Sequence, residues 1–151
     1  MAIGMKRRTL LKASLLPLAL GGMLSPGKAF SAYPGKAFRA RETAEALREA
    51  FGTADIAQSG KIEIEAPLVA RDAGMVPVRV RSGFDNTESI SLMVSGNEAP
   101  FTAHFRLHQP QGFVSTRVRV ADTSDLLVIV KADGVLYTNK RLLRVGRHCT
   151  I

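Results

Sequence analysis

The chain has one cysteine in 151 residues, Cys149. That count excludes an internal disulfide framework, a paired-cysteine zinc site and a C-x-x-C redox pair. Acidic residues are missing from the first 31 positions, which hold Lys6, Arg7, Arg8, Lys12 and Lys28. A membrane-length apolar run is missing too. The longest candidate, Ala13 to Leu24, is interrupted by Pro17 and Gly21-Gly22 and falls short of the roughly 20 apolar residues that a spanning helix needs. No Gly-x-Ser-x-Gly elbow, phosphate-binding Walker loop or dinucleotide fingerprint occurs, so the common hydrolase, nucleotide and nicotinamide chemistries have no sequence anchor.

What does stand at the start is ordered like an export signal. Arg7-Arg8-Thr9-Leu10-Leu11-Lys12 reads as a twin-arginine motif, followed by the short apolar stretch and then by small residues at Ala29-Phe30-Ser31-Ala32, where cleavage is expected. Residues 1–31 are thus read as a twin-arginine signal peptide and residues 32–151 as the exported domain, with a periplasmic destination and no stable membrane anchor. A retained anchor is the alternative. Without the five signal bases, 16 basic residues face 13 acidic ones, so the balance is +3 rather than +8. The high isoelectric point is therefore largely a property of the signal, and a nucleic-acid partner is not expected. Pro-Gly-Lys-Ala-Phe occurs at 26–30 and again at 34–38, a local duplication too short to be a repeat architecture.

About 120 residues remain, enough for one domain around one core. One helix is expected over Ala40 to Phe51, where Ala44, Leu47, Ala50 and Phe51 form a single apolar stripe and Gly52 stands ready to end it. Beyond Gly52 the period changes to two. Ile62 and Ile64 alternate with charges; Val76, Val78 and Val80 alternate with Pro77, Arg79 and Arg81; Ile90, Leu92 and Val94 alternate with Ser89, Ser91 and Met93. The pattern recurs with Phe101, Ala103, Phe105 and Leu107, and with Val114, Thr116, Val118 and Val120. Leu126 to Val130 is apolar on both faces, as a central strand would be, and Leu136 to Val145 is mixed. Turn signals separate these units, among them Asp72-Ala73-Gly74, Gly96-Asn97 and Asp133-Gly134. About seven short strands with regular turns predict an all-β sandwich with one short N-terminal helix.

The solvent faces of these strands carry Arg79, Arg81, Arg106, Arg117 and Arg119, which form either an ordinary solvated surface or a docking face for acidic partners and anionic substrates. His104 and His108 lie four strand positions apart, roughly 13 Å at about 3.3 Å per residue, too far to share one ion, so they are read as exposed strand histidines and no metal site is expected. No cofactor is implied.

Cys149 sits in Arg147-His148-Cys149-Thr150-Ile151. It is either a leftover residue of a frayed tail or a thiol used for chemistry on another protein. The thiolate is the reactive form, and the neighbouring charges of Arg147 and His148 favour it modestly, since exposure and salt weaken the effect. Because nothing in the sequence positions a base and an orienting group around it, self-contained catalysis is not expected. A thiol that other enzymes act upon describes a carrier, not an enzyme.

The chain resembles the SoxY family, the sulfur-carrier subunits of thiosulfate oxidation. The resemblance is carried by Ile64-Glu65-Ala66-Pro67-Leu68-Val69-Ala70, Val76-Pro77-Val78, the stretch Ser115 to Thr123, the stretch Lys131 to Tyr137 and the cysteine near the end. It implies an immunoglobulin-like sandwich, a heterodimer with a SoxZ-like subunit, and covalent attachment of sulfur intermediates to Cys149. A periplasmic haem enzyme would couple thiosulfate to the thiol, a hydrolase would release sulfate, and a dehydrogenase would oxidise the remaining sulfur. The family tail is Gly-Gly-Cys-Gly-Gly. Here the cysteine is flanked by bulkier residues, with Gly146 as the nearby glycine and expected hinge. That departure leaves three readings open: a different partner enzyme, a different sulfur species, or no carriage at all. In the last case the chain would be an interaction module or an accessory protein of a periplasmic dehydrogenase.

Overall fold

The computed structural model describes residues 34–108 and 111–146. Among these residues a 3-10 turn at Ala37–Arg39 and helix α1 (Thr43–Phe51) precede nine strands. In chain order these are β1 (Ala57–Gln58), β2 (Ile62–Glu65), β3 (Val69–Ala70), β4 (Val76–Ser82), β5 (Thr87–Val94), β6 (Phe101–Arg106), β7 (Phe113–Val118), β8 (Ser124–Ala132) and β9 (Val135–Val145). The seven longer strands coincide with the seven periodic segments. The two extra ones, β1 and β3, have two residues each, too few for any alternation to show.

The strands form two sheets. One is β2-β4-β7, antiparallel throughout; the other runs β1-β9-β8-β5-β6, with β3 also on β9. Beta-branched and aliphatic residues at every second position build the inner faces: Ile62, Ile64, Val76, Val78, Val80, Val114 and Val118 from the small sheet meet Ile90, Leu92, Val94, Leu126, Val128, Val130 and Leu143 from the large one. Burying this set is the main favourable term in folding. The result is an immunoglobulin-like sandwich.

A second, smaller core lies on the outer face of the large sheet. There Ala46 and Leu47 of α1, with Ala37 and Ala40 before it, pack on Met93, Phe101 and Ile129. Phe38 meets Phe101 edge to face at 4.7 Å between ring centroids, a favoured aromatic geometry. Helix α1 begins at Thr43, three residues later than expected from its stripe, because Ala40 closes the preceding turn by donating its N–H to the Ala37 carbonyl and then takes an extended backbone. Its end is as expected: Gly52 adopts φ 77° and donates to the Arg48 carbonyl at 2.8 Å.

The helix layer also corrects two strand readings. Strand β5 is buried on both faces, Ser89, Ser91 and Met93 included, since the helical segment covers the side that alternation assigned to solvent. In β6, Phe101 sits opposite Met93 and Ala103 opposite Leu92. The bulge there places Phe101 under the helix while Ala103, Phe105 and Leu107 pack on the inter-sheet core. The β8–β9 hairpin turns through Asp133 (φ 49°) and Gly134 (φ 74°), the left-handed pair that a tight hairpin loop requires.

At one lateral margin the sheets are fastened by side chains. Asn139 Nδ2 donates to the Ile62 carbonyl at 2.7 Å, and Arg141 Nη1 to the Ile64 carbonyl at 3.0 Å. Both donors lie on β9, and both acceptors on β2 across the sandwich.

Candidate functional site

Strand β9 delivers the chain to Gly146, three positions before Cys149. Its last residues are held on both edges. On one side β3 runs parallel to it, pairing Val69 with Arg144 and Ala70 with Val145. The Arg144 N–H donates to the Leu68 carbonyl at 3.0 Å and the Gly146 N–H to the Ala70 carbonyl at 3.2 Å. On the other side the Val145 N–H donates to Thr123 Oγ1 at 3.0 Å. Gly146 is exposed but pinned through its amide, and a Cβ there would touch Val69 Cγ1 at 3.4 Å. Leu68 (55% exposed) and Val69 (50%) flank this exit, and Leu142 (41%) is exposed four positions earlier on β9. Arg147, His148 and Cys149 lie outside the described residues.

The histidines separate. His108 is exposed, whereas His104 is half-buried, contrary to the exposed position expected for it. The bulged β6 turns it toward the helix-covered face, where its Nδ1 lies 2.8 Å from Ser91 Oγ and its ring 6.4 Å from that of Phe101. Burial holds its pKa below the ordinary value, with Arg106 adding a smaller push in the same direction. Among the described residues, no three His, Cys, Asp or Glu side chains gather where they could hold a metal ion.

The arginines divide as well. Arg79 and Arg81 on β4 and Arg117 on β7 share the outer face of the small sheet. Arg106 belongs to β6 in the other sheet, and Arg119 lies just past the end of β7. Arg79 Nη1 is 3.7 Å from Glu65 Oε2, and the Arg81 guanidinium stands over the Phe113 ring at 5.6 Å.

One arginine escaped the sequence reading. Arg141 lies in the mixed segment of β9, on the same inward phase as Tyr137, Asn139 and Leu143. Its Nη1 makes the bond to Ile64, but its buried Nε–H meets no hydrogen-bond partner among the described residues. Arg141 also lines a cleft of about 420 Å³ together with Glu65, Ala66, Pro67, Pro77 and Arg79. The signal available was a positive residue on the phase that also carries Tyr137 and Leu143 in this mixed strand.

Residues 47–147 match the family model described as sulfur oxidation protein SoxY. The solved structure of the sulfur carrier protein SoxY from Chlorobium limicola f thiosulfatophilum aligns with 36% sequence identity and a TM-score of 0.63, over 73% of this chain and 96% of that one. Two variants of superoxide reductase (neelaredoxin) from Ignicoccus hospitalis align with TM-scores of 0.48 and 0.49 at 20% and 18% identity, covering 65% and 70% of this chain and 87% and 90% of theirs. No curated protein matches the chain. The family match covers two thirds of the residues and the solved relative shares the fold, so the chain belongs to the SoxY family of sulfur oxidation proteins.

Proposed function

We propose that this protein is a periplasmic sulfur carrier that holds oxidation intermediates covalently on Cys149 and performs no reaction of its own. The observation that carries the reading is family membership extending through residue 147, up to the point where the chain leaves a pinned strand for its sole cysteine. The relative from Chlorobium, itself named a sulfur carrier, supports the same role.

In the first step the Cys149 thiol and thiosulfate join through a new S–S bond. The thiol loses its proton and two electrons pass to a periplasmic haem enzyme, leaving Cys–S–S–SO₃⁻. Water then cleaves the S–SO₃⁻ bond at a hydrolase, releasing sulfate and a proton and leaving a persulfide. The sandwich supplies a rigid mount, and the partners supply the catalysis. A SoxZ-like subunit completes the carrier as a heterodimer, and Arg7-Arg8 directs export by the twin-arginine route.

Intact-protein mass spectrometry tests the proposal. Incubation with thiosulfate and the cognate haem enzyme adds one thiosulfate-derived group to the protein, and Cys149→Ser abolishes the gain. An unchanged mass with a competent partner set refutes carriage. Arg7→Lys with Arg8→Lys tests the route separately, because it retains the precursor in the cytoplasm if the twin-arginine reading is right.

A further inference from the structure

The helical layer on the outer face of the large sheet is attached more loosely than the sheets are to each other. Its fully covered residues are three alanines, Ala37, Ala40 and Ala46, and one large side chain, Leu47. Its backbone bonds close locally: Ala37 donates to Pro34, Arg39 to Lys36, Ala40 to Ala37, Ala46 to Glu42 and Gly52 to Arg48. The ion pair from Arg41 to Glu98, at 3.4 Å, joins side chains 79% and 82% exposed, a surface contact worth little. The sandwich is joined by strand ladders and by the core between the sheets. Segments with few buried apolar contacts open first. The layer bears on the sheet at the ring of Phe101, which Phe38 meets at 4.7 Å and Phe51 at 6.3 Å. His104 lies beside the same ring at 6.4 Å, with its Nδ1 2.8 Å from the hydroxyl of Ser91, a residue that is fully buried.

We propose that residues 37–51 form a proton-sensitive cover: protonation of His104 lifts the layer from the large sheet while the sandwich stays folded, baring Met93, Phe101 and Ile129. These three are at most 2% exposed when covered. A neutral imidazole can accept the Ser91 O–H at Nδ1. The protonated ring carries hydrogen on both nitrogens, so Nδ1 can only donate, and the Ser91 hydroxyl hydrogen loses that acceptor where water does not reach. An imidazolium beside an apolar layer is also poorly solvated. Arg106, two positions along β6, adds like charge. The elements packed around His104 bring no buried acid to offset it. Ser89 and Ser91 of β5, opposite Arg106 and His104, are uncharged. Lys131 of β8 is paired with Glu88 at 2.8 Å. On the helical side Lys36, Arg39, Arg41, Glu42, Glu45, Arg48 and Glu49 are all exposed. Lifting the layer returns Ser91 and His104 to water and removes both costs. The sign follows: burial holds His104 below its ordinary 6.5, so opening grows as pH falls past that value and levels off once the closed form is protonated too. Cys149 takes no part, so the cover and carriage stand or fall in different experiments.

The test is amide hydrogen exchange between about pH 7.5 and 5, on either side of the ordinary histidine value, with rates normalised to those of an unstructured chain. Protection of the α1 amides should fall severalfold across that range, while β4, β5 and β8 keep theirs. Binding of an apolar fluorescent dye should rise in parallel, since it reports exposed hydrophobic surface. His104→Gln, which can still bond Ser91 but takes up no proton, should flatten both responses. His108→Gln, at an exposed position, should leave them as in the parent. Leu47→Ala should strip protection from α1 at either pH with the sandwich strands still protected. If His104→Gln fails to fold, the parent decides: the fall in α1 protection must level off at the pH where the His104 ring titrates by NMR. Protection of α1 that tracks the sandwich strands at every pH, a pH response that survives in His104→Gln, or a levelling-off far from the His104 titration would each overturn the proposal.

Discussion

Replacing Val118 with aspartate tests the packing between the two sheets. Val118 is 2% exposed, lies opposite Val76 in the β4–β7 pair and belongs to the core between the sheets. The substitution forfeits a buried valine, about 1.5–3 kcal/mol. It also leaves a carboxylate without a cation on the inner face of β7, where an uncompensated buried charge costs about 3–5 kcal/mol. The sum is a large share of the roughly 5–15 kcal/mol that holds a domain of this size together. Urea or thermal unfolding followed by circular dichroism should show a melting point lower by roughly 15 °C or more, or no cooperative transition at all. Ser115→Asp is the matched control. It puts the same charge on the same strand, but on the exposed face opposite Arg79, and should stay within about 0.5 kcal/mol of the parent. If both variants melt alike, the assignment of inner and outer faces on β7 is wrong.

Gly112→Ala should cost about 1–3 kcal/mol, because an added Cβ would stand 2.5 Å from Ser82 Cβ and 2.8 Å from Thr87 Oγ1; a neutral effect in urea unfolding would contradict the packing at the β4–β5 turn. Asn139→Ala should cost about 1–2 kcal/mol through loss of the bond to the Ile62 carbonyl, and hydrogen exchange should accelerate in β2 before the β5–β8 pair. His104 is held below its ordinary value of 6.5, so the unfolded chain takes up that proton first. Stability should decline as pH falls below about 6.5, and this contribution should level off once folded His104 is protonated as well. His104→Gln should remove that slope. Glu88, lowered by its hydrogen bond to Lys131 and then by the Gly134 N–H, acts separately: its contribution is present above the ordinary value of 4.5 and disappears at more acid pH.

The long strands were readable because each hides one face, so valine and isoleucine recur at every second position and the phase can be counted. Gly52 and the Asp133-Gly134 pair were readable because positive φ selects few residues. The helix start was not, since Ala40 fits the stripe but is claimed by the 3-10 turn before it. The burial of β5 on both sides was hidden by serines, which fill close-packed space as readily as they face water. The β6 bulge inverts Phe101 with no local mark in the sequence. Strands β1 and β3 consist of two residues each and are defined by their partner β9 rather than by their own pattern. Cys149 could be singled out by its scarcity alone, while Arg141 matters through a contact 77 residues away in sequence, which periodicity does not register.

The most consequential of these illegible features is β3, because it decides where any reach toward Cys149 must start. Were β9 free beyond Leu143, the sulfur could sweep from that point. Bonds from Arg144 to Leu68, from Val145 to Thr123 and from Gly146 to Ala70 move the origin to Gly146. Three residues span at most about 11 Å of backbone, so under the proposed carrier role a catalytic centre acting on Cys149 would have to come that close to the exit, plus the length of the side chain and its cargo. Under the proposed role, Leu68 and Val69, exposed beside Gly146, would be the residues such an enzyme meets first. The family pattern places glycines on either side of the cysteine, where this chain has Arg147, His148, Thr150 and Ile151. With the starting point fixed by β3, the proposed role would require those side chains to fit whatever channel admits the sulfur. If the proposed carrier role holds, partner choice would depend jointly on the width of that channel and on the apolar residues at its mouth.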